Sequence, residues 1–509
     1  YYLSGSYNYQ EGVIKTNDIS KVNLKSNINH EMFKWLKVGA NISGNYLHNN
    51  RIPGADLGST IIGRAVQQRP FDRPYKPNGG YYTGGTDELL LHNAVQILSE
   101  ETSYTDNYRF IGSFWAEAQI IKGLTVRASY NNDSAYTYDY IYYNQNHPYA
   151  ADKGRILDRN RFVMTNTIDL YANYNRKIGE DFELGAMVGH SFLKTRSRTS
   201  YIDAQNYPSP AFDVASVAAN IVDASAGLSE YAIESYFARL SLAYKDRYVV
   251  NATIRTDGSS RFAPNTRWGY FPAASVGWRM SDESFLRDVK WVDDLKIRAS
   301  VGQTGNAQIG NSEYLALYGS TNIDLGNGLT SQVYPTQIAN NDLGWEKNTQ
   351  YNVGLDVSLW RGTLGFTADY YYSKTTDMLF DVPVSSVSGL TSSNVNIGSM
   401  QNKGIELALT SRRSFGDFSY AFAANWSLNR NKVLSLGDEN ADIIKESSYA
   451  GGYYLTRVGQ PVGCYYLLVQ DGIFHNQEEL DSYPHFDTTT IGDFRFVDAN
   501  GNGILEKDA

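Results

Sequence analysis

The residues whose types and spacing best suit chemistry lie in the segment DANGNGILEKDA near the end of the sequence. Asp498, Asn500 and Asn502 stand at alternate positions, and Gly503 follows them directly. Calcium takes roughly six to eight oxygen ligands, and this spacing presents three side-chain oxygens while glycine permits a tight bend. Ala509 stands where a calcium loop carries its bidentate glutamate. The spacing therefore predicts either a calcium site or a polar turn between two strands.

The sequence carries no arrangement of residues that is typical of an enzyme. The 7 histidines are scattered without the paired spacing of a zinc site, and Cys464 is the only cysteine. Neither a Gly-x-Ser-x-Gly nucleophile turn nor a phosphate-binding Gly-Lys-Ser/Thr loop is present. We therefore expect no catalytic residue and no required cofactor, with calcium as the one candidate ion.

Two kinds of segment are candidates for contact with a substrate. Tyrosine-rich stretches at 79–82, 139–143 and 451–454 offer rings that can stack on sugars or peptide side chains, or can pack loops against each other. The sequence supports both interpretations equally. The segment DGSSRF is better explained as a capped turn in which Arg261 pairs with Asp257. No individual substrate-binding residue is predicted.

Composition limits the elements that position these residues. The chain has 509 residues, of which 42% are apolar, and a mean hydropathy of -0.42. No uncharged apolar run is long enough for a membrane-spanning helix. The 40 Tyr and 44 Gly against 13 Pro favour an all-β fold. A net charge of -9 argues against a nucleic-acid partner, which requires clustered basic residues.

Alternating apolar and polar residues predict strands that pair in hairpins. The predicted pairs are 18–30 with 33–47, 104–121 with 124–141, 158–177 with 182–200, 229–244 with 247–257, 267–280 with 293–303, 346–360 with 363–376, and 394–412 with 417–430. An initial strand at 1–9 and another near 460–470 bring the predicted total to about sixteen.

Short turns alternate with long polar connections along the whole chain. The main long connections are 48–103, 142–157, 201–228, 304–345, 377–393 and 431–459. Outer-membrane barrels have short turns at the periplasmic rim and long loops outside the cell, whereas a soluble sandwich has no reason for this alternation. The pattern predicts a transmembrane antiparallel β-barrel, with these connections as extracellular loops.

The hairpin at 345–375 shows which side of the predicted sheet meets lipid. One face of its first strand carries Tyr351, Val353, Leu355, Val357 and Leu359. We expect this face to contact the bilayer, and Asp356 and Asp369 to face a wet lumen. Aromatic residues near the short turns predict an interfacial girdle, although hairpin packing in a soluble sheet would also explain them. They are Phe33, Trp35, Phe182, Tyr248, Trp360, Phe415 and Phe418.

Several long segments resemble one known family. They are ATIRTDGSSRFAPNTRWGYFPAASVGWRMSDESF (252–285), NNDLGWEKNTQYNVGLDVSLWRGTLGFTADYYYSKTTDMLF (340–380), VNIGSMQNKGIELAL (395–409), VGQPVGCYYLLVQDGIF (458–474) and GDFRFVDANGNGILEKDA (492–509). These segments resemble the SusC-like (SusC/RagA) TonB-dependent outer-membrane transporters of Bacteroidetes. Asn341 departs from the proline usual at that position in the family.

The resemblance implies the barrel of an active importer of glycans or oligopeptides in the outer membrane. It implies a SusD-like lipoprotein lid, and force from a TonB complex acting through a plug. The plug, the TonB box and the strands that close a 22-stranded family barrel are expected outside this chain, which would be the central part of a longer protein. A passive porin and a secreted glycan-binding β-sandwich adhesin are the alternatives.

Overall fold

The computed structural model describes two compact units. It covers residues 1–509 apart from 53–60, 84–91, 149, 151–152, 325, 327, 385–386, 388, 391, 438–439, 447–452, 500 and 506–509. The first unit comprises Tyr1–Arg279 and Ala307–Trp345, and the second comprises Met280–Asn306 and Glu346–Ala509. Strands predominate in both units, which confirms the all-β fold class.

Ten long strands follow each other through the first unit, each pairing antiparallel with the next. They are β1 (Tyr2–Glu11), β2 (Asp18–Phe33), β3 (Leu36–Asn50), β4 (Glu101–Ile121), β5 (Leu124–Tyr143), β6 (Arg155–Ile178), β7 (Phe182–Gln205), β8 (Asn220–Tyr244), β9 (Tyr248–Ser259) and β10 (Trp268–Arg279). Helices α1 (Ile61–Gln67) and α2 (Ala94–Glu100) lie between β3 and β4. Among the described residues, no helix is long and apolar enough to cross a bilayer.

The remaining strands are a mixture of long and short ones. They are β11 (Val292–Asn306), β12 (Leu317–Asp324), β13 (Leu329–Gln337), β14 (Glu346–Leu359), β15 (Leu364–Thr376), β16 (Leu379–Pro383), β17 (Ser392–Asn396), β18 (Ser399–Phe415), β19 (Phe418–Ser435), β20 (Ile443–Glu446), β21 (Tyr453–Thr456), β22 (Cys464–Tyr466), β23 (Gln470–Ile473) and β24 (Phe494–Phe496). In the second unit, β11, β14, β15, β18 and β19 form an antiparallel meander. A short helix, α3 (Gln477–Ser482), lies between β23 and β24.

Several sequence-based boundaries differ from the structure, and one is the predicted strand 394–412, which is divided between β17 and β18 where Gly398 takes a φ of +83°. The expected strand near 460–470 is only the three-residue β22, because Gly459 and Gly463 take φ of +91° and +66° and turn the chain before it. The connection predicted at 201–228 is shorter, since β7 continues to Gln205 and β8 begins at Asn220. Where a strand extends beyond its apolar part, its residues no longer need to alternate between apolar and polar. The exact end of such a strand is therefore hard to predict from the sequence.

The hairpin of β14 and β15 has the two faces that the sequence predicts. Its register pairs Val353 with Tyr370, and Gly354 with Asp369. Tyr351, Val353 and Tyr370 expose about half of their surface, at 52%, 54% and 49%. The turn between the strands is tight because Trp360 and Arg361 adopt φ of +54° and +56° before Gly362 at +73°. One face of this hairpin is therefore apolar and exposed, as lipid contact requires.

Within each unit, a band of aromatic side chains lies at the short-turn end of the exposed apolar face. All seven aromatics predicted near the short turns are exposed, and Phe33 stacks on Trp35 with ring centroids 5.8 Å apart. In the first unit a second row crosses four strands away from their short turns, where the register aligns Tyr46, Tyr108, Tyr136 and Phe162. Along β3 the two rows are separated by roughly 25 Å, measured perpendicular to the membrane. This height follows from a rise of about 3.4 Å per residue and a strand tilt of about 40°. That height matches a bilayer's apolar core.

A charge on the apolar face should prevent stable insertion. We expect Leu355→Arg to lower the free energy of unfolding by roughly 2–4 kcal/mol, because lipid cannot hydrate the guanidinium. Denaturant titration of the full chain in lipid vesicles, followed by heat-modifiable gel mobility, measures this loss. Thr367→Arg, on the opposite face beside Asp356, is the matched control and should change little. Equal stability of the two variants would contradict the assigned faces.

Candidate functional site

The second face of the first unit's sheet is polar and densely charged. The register places odd-numbered residues of β4 to β8 on this face, so that Glu117, Arg127 and Tyr171 stand side by side. Arg127 lies 3.7 Å from Glu117, and its guanidinium lies over the Trp115 ring. The Asp169 carboxylate accepts hydrogen bonds from hydroxyl and amide groups on both neighbouring strands. This face is built to meet water or a polar substrate.

In the second unit, the polar face holds a three-residue ion network. Arg298 on β11 donates to Asp356 on β14 (3.1 Å) and to Asp369 on β15 (2.6 Å). The Arg298 side chain crosses β14 to reach Asp369 on β15. It can do so because Gly354, which lies between them on β14, has no side chain. A Cβ on Gly354 would lie 2.5 Å from the Arg298 Cζ atom. The glycine is therefore a requirement of the network.

The segment DGSSRF is arranged differently from the sequence-based prediction. Arg261 does not pair with Asp257; instead Arg255 donates to that carboxylate at 2.8 Å. Arg255 and Asp257 share one face of β9, whereas the turn after Ser259 directs Arg261 away. Phe262 is fully buried and packs against Trp345, with ring centroids 5.4 Å apart. The turn is anchored by this ring and presents Arg261 to the connection that begins at residue 307.

Three contacts hold the Arg261 side chain in its observed position. Its Nε atom donates to Asn311 Oδ1 and its Nη1 atom to the Ala307 carbonyl, each at 2.9 Å. The guanidinium also lies 4.1 Å from the centre of the Tyr231 ring. Asn311 in turn donates to Ser229 Oγ at 2.6 Å. A loop residue is thereby fixed against β8.

Beside Arg261 the polar face opens into a pocket of about 670 Å³. It is lined by Arg159, Arg161, Val163, Thr195, Ser197, Thr199, Ser200, Tyr201, Ser229, Tyr231, Arg261 and Asn311. Three arginines and several hydroxyl groups surround it, and its lining contains no carboxylate. Sequence reasoning missed this pocket. Its one local signal was the alternation of Arg159 and Arg161, which places both arginines on the same face of β6.

The tyrosine-rich segments are engaged within the protein where they are described. Tyr140 and Tyr142 are buried in a cluster with Tyr207, and the Tyr140 hydroxyl donates to the Asp213 carbonyl at 2.7 Å. Burial raises the pKa of Tyr207 to about 12. Tyr81 packs against Tyr75, and Tyr454 packs against Tyr465. Residues 451–452 lie outside the described part of the chain. These contacts favour loop packing as the role of the rings.

The predicted calcium loop is only partly described. Asn500 lies outside the described residues. The two Asp498 carboxylate oxygens accept hydrogen bonds from the backbone N–H groups of Gly501 (2.8 Å) and Gly503 (2.7 Å), and Asn502 Oδ1 accepts from Ile504. Such bonds are typical of an Asx turn. Among the described residues no group of three His, Cys, Asp or Glu side chains is placed to hold a metal. Calcium binding by Asp498, Asn500 and Asn502 stays a prediction.

Comparison with known proteins gives a consistent result. The family model described as TonB dependent receptor-like, beta-barrel matches residues 34–503. TonB-dependent receptor P3 of Formosa agariphila is 29% identical over 526 residues, which cover 99% of this chain and 52% of that receptor. TonB-dependent receptor SusC of Bacteroides thetaiotaomicron is 26% identical over 99% of this chain and 52% of its own length. The chain thus spans about half the length of these curated relatives.

The solved structures that are similar to this chain are also those of a transporter. The structure of the RagAB peptide transporter is similar with a TM-score of 0.81 and 26% identity, over 92% of this chain and 53% of the transporter chain. The RagAB peptide importer in its closed-closed state matches with a TM-score of 0.81 and 25% identity, over 97% and 55% of the two chains.

Removing the arginine of the ion network should weaken the second unit. We expect Arg298→Met to lower the free energy of unfolding by about 1–2 kcal/mol, because Asp356 and the largely buried Asp369 lose their shared cation while water still screens part of the site. The measurement is the denaturant midpoint in lipid vesicles. Adding Asp369→Asn to Arg298→Met should recover part of the loss. A fully additive double variant would show that the network is not coupled.

Proposed function

This chain belongs to the TonB dependent receptor-like β-barrel family, and we propose that it forms the barrel wall of an active importer of glycans or oligopeptides. Proteins of this family are located in the outer membrane. The main support is the combination of an exposed apolar face and a charged polar face on long antiparallel strands, in a chain that aligns with SusC over 99% of its length.

Active transport is favoured over a passive pore by the relatives. Receptor P3 and SusC are both named TonB-dependent receptors, and the RagAB structures are those of a peptide transporter. In this proposal TonB supplies force through parts of the protein outside this chain. The barrel contributes the lumen wall, whose charges remain hydrated or paired, and the loops that first contact the substrate. Glycans and oligopeptides both suit a polar wall with arginines and hydroxyl groups.

We further propose a SusD-like surface lipoprotein as the partner of the long loops. The support is the likeness to SusC and to the RagAB structures, together with loop residues that are buried or hydrogen-bonded at the far ends of the strands. Tyr207 of the connection after β7 is fully buried, and Trp345 donates through Nε1 to the Arg267 carbonyl at 2.8 Å. Loops held in this way offer a stable surface for a second protein.

Uptake should depend on the proton gradient and on TonB. We expect cells that carry the complete gene to accumulate labelled oligomers, and to lose uptake when tonB is deleted or when the gradient is collapsed. The measurement is accumulation of labelled glycan and peptide mixtures over time. A variant of the same strain that lacks this gene is the control. Unchanged uptake without TonB would support a passive porin and contradict the proposal.

The partner should be recovered with the barrel. We expect detergent extraction and affinity purification of the full chain to bring down a surface lipoprotein in a stoichiometric amount. Extraction without detergent tests the alternative of a secreted adhesin, because an adhesin would appear in the soluble fraction. Recovery of a barrel without any lipoprotein, from cells grown on the transported nutrient, would contradict the proposed partnership.

A further inference from the structure

We propose that the pocket lined by Arg159, Arg161 and Arg261 binds a carboxylate group of the transported oligomer. This inference rests on the proposed function, because the pocket lies on the face of the sheet assigned to the lumen. The three arginines come from two places in the chain: two from β6 and one from the turn after β9. The strand register and the anchored turn bring them together around one opening.

The pocket carries a concentration of positive charge. The pocket lining carries three guanidinium groups and no carboxylate, in a chain whose net charge is -9. Within the described part of the chain, none of the three forms a salt bridge. Asp139 stands opposite Arg159 in the register, but its carboxylate faces Arg51 at 3.4 Å and accepts from the Thr105 hydroxyl. The pocket is therefore a local positive field that attracts anions.

Two of the three guanidinium groups, those of Arg159 and Arg261, are held in position by neighbouring groups. Arg261 uses Nε and Nη1 to bind the 307–345 connection, and its Nη2 atom makes no hydrogen bond to any described residue. Arg159 rests against the Tyr201 ring, 5.2 Å from its centre. Arg161 makes no hydrogen bond to any described residue. A planar guanidinium that is already positioned loses less entropy when it binds a carboxylate through two parallel hydrogen bonds.

The remainder of the pocket lining is rich in hydroxyl groups. Thr195, Ser197, Thr199 and Ser229 add hydroxyl groups, which can donate to and accept from the neutral polar groups next to a carboxylate. Space for the ligand is kept by Gly227, which stands opposite Thr199 on β8. A Cβ at position 227 would lie 2.9 Å from the Thr199 Oγ1 atom. The pocket thus combines anion donors with general polar contacts.

A carboxylate on an oligomer has two natural sources, a sugar acid and the C-terminus of a peptide. The test uses a matched pair for each source. Tetragalacturonate is compared with its methyl ester, and N-acetyl-tetraalanine with its C-terminal amide. The methyl ester neutralises the four carboxylates of the sugar oligomer, and the amide neutralises the single carboxylate of the peptide. Equilibrium binding is measured by calorimetry on the full chain, purified in detergent at low ionic strength.

In at least one pair we expect the carboxylate form to bind about 10-fold more tightly than its neutral partner, which is the usual strength of a charge-assisted hydrogen bond. Arg161→Ala should remove most of this difference. Because Arg161 has no described partner, the variant should fold normally, as unchanged heat-modifiable mobility would show. The pair that carries the preference identifies the source of the carboxylate.

The matched control is Arg198→Ala. Arg198 lies on β7 between two pocket residues, Ser197 and Thr199, and therefore on the opposite face of the strand. The Arg198→Ala substitution removes the same charge from the same region and should leave the preference for the carboxylate probe unchanged. Three results would overturn the inference: equal affinity for acid and neutral forms, no binding of any of the four probes, or an equal effect of both variants.

Failure of this inference is distinguishable from failure of the proposed function. The binding assay uses purified protein and does not need TonB or a proton gradient. If uptake depends on TonB while acid and neutral probes bind equally, the proposal of an active importer is supported and the proposal of a carboxylate-binding pocket is rejected. If the carboxylate preference is observed while uptake continues without TonB, the carboxylate-binding pocket is supported and the proposal of active transport is rejected.

Discussion

The hydrogen-bonding requirement of the backbone in hydrocarbon determines the rest of this structure. A lipid environment offers no partner for free N–H and C=O groups, so each membrane-crossing strand must pair along its whole length. The meanders of β1 to β10 and of β11, β14, β15, β18 and β19 meet this requirement with long antiparallel ladders. Pairing with a period of two then separates the side chains into an apolar face and a polar face. Lipid contact and substrate contact follow from that separation.

Charged and aromatic side chains on the polar face depend on glycines in neighbouring strands. Gly354 leaves the space through which Arg298 reaches Asp369. Gly39 stands opposite Trp115 and Gly189 opposite Phe237, and a Cβ on either glycine would lie within 2.3–2.4 Å of the facing ring. A glycine beside a large side chain lets that side chain lie flat along the sheet and protects the exposed backbone. The lumen wall is thus shaped by pairs of residues, one large and one without a side chain.

The sequence predicted the hairpins well because both of their determinants are local. Alternation and turn chemistry can be read within a few residues, as in the β14–β15 hairpin. Where a strand leaves the bilayer, alternation is no longer required, so the end of β7 was placed too early in the sequence and the start of β8 too late. The pocket depends on the register of three strands and on the 307–345 connection, so Arg261 was paired wrongly with Asp257 and its contacts with Asn311 and Tyr231 were missed. Pairings between residues far apart in sequence leave no local signal.

The assignment of one face to lipid and the other to water is the central claim, and labelling of single cysteines along β14 tests it most directly. In a Cys464→Ser background, cysteines are placed one at a time at positions 351 to 353 and 355 to 358 of the full chain in lipid vesicles, because Gly354 leaves no room for a side chain. We expect a water-soluble maleimide to label cysteines at even positions, and a lipid-dissolved quencher to quench fluorescent probes attached at odd positions. Equal aqueous labelling at odd and even positions would contradict it.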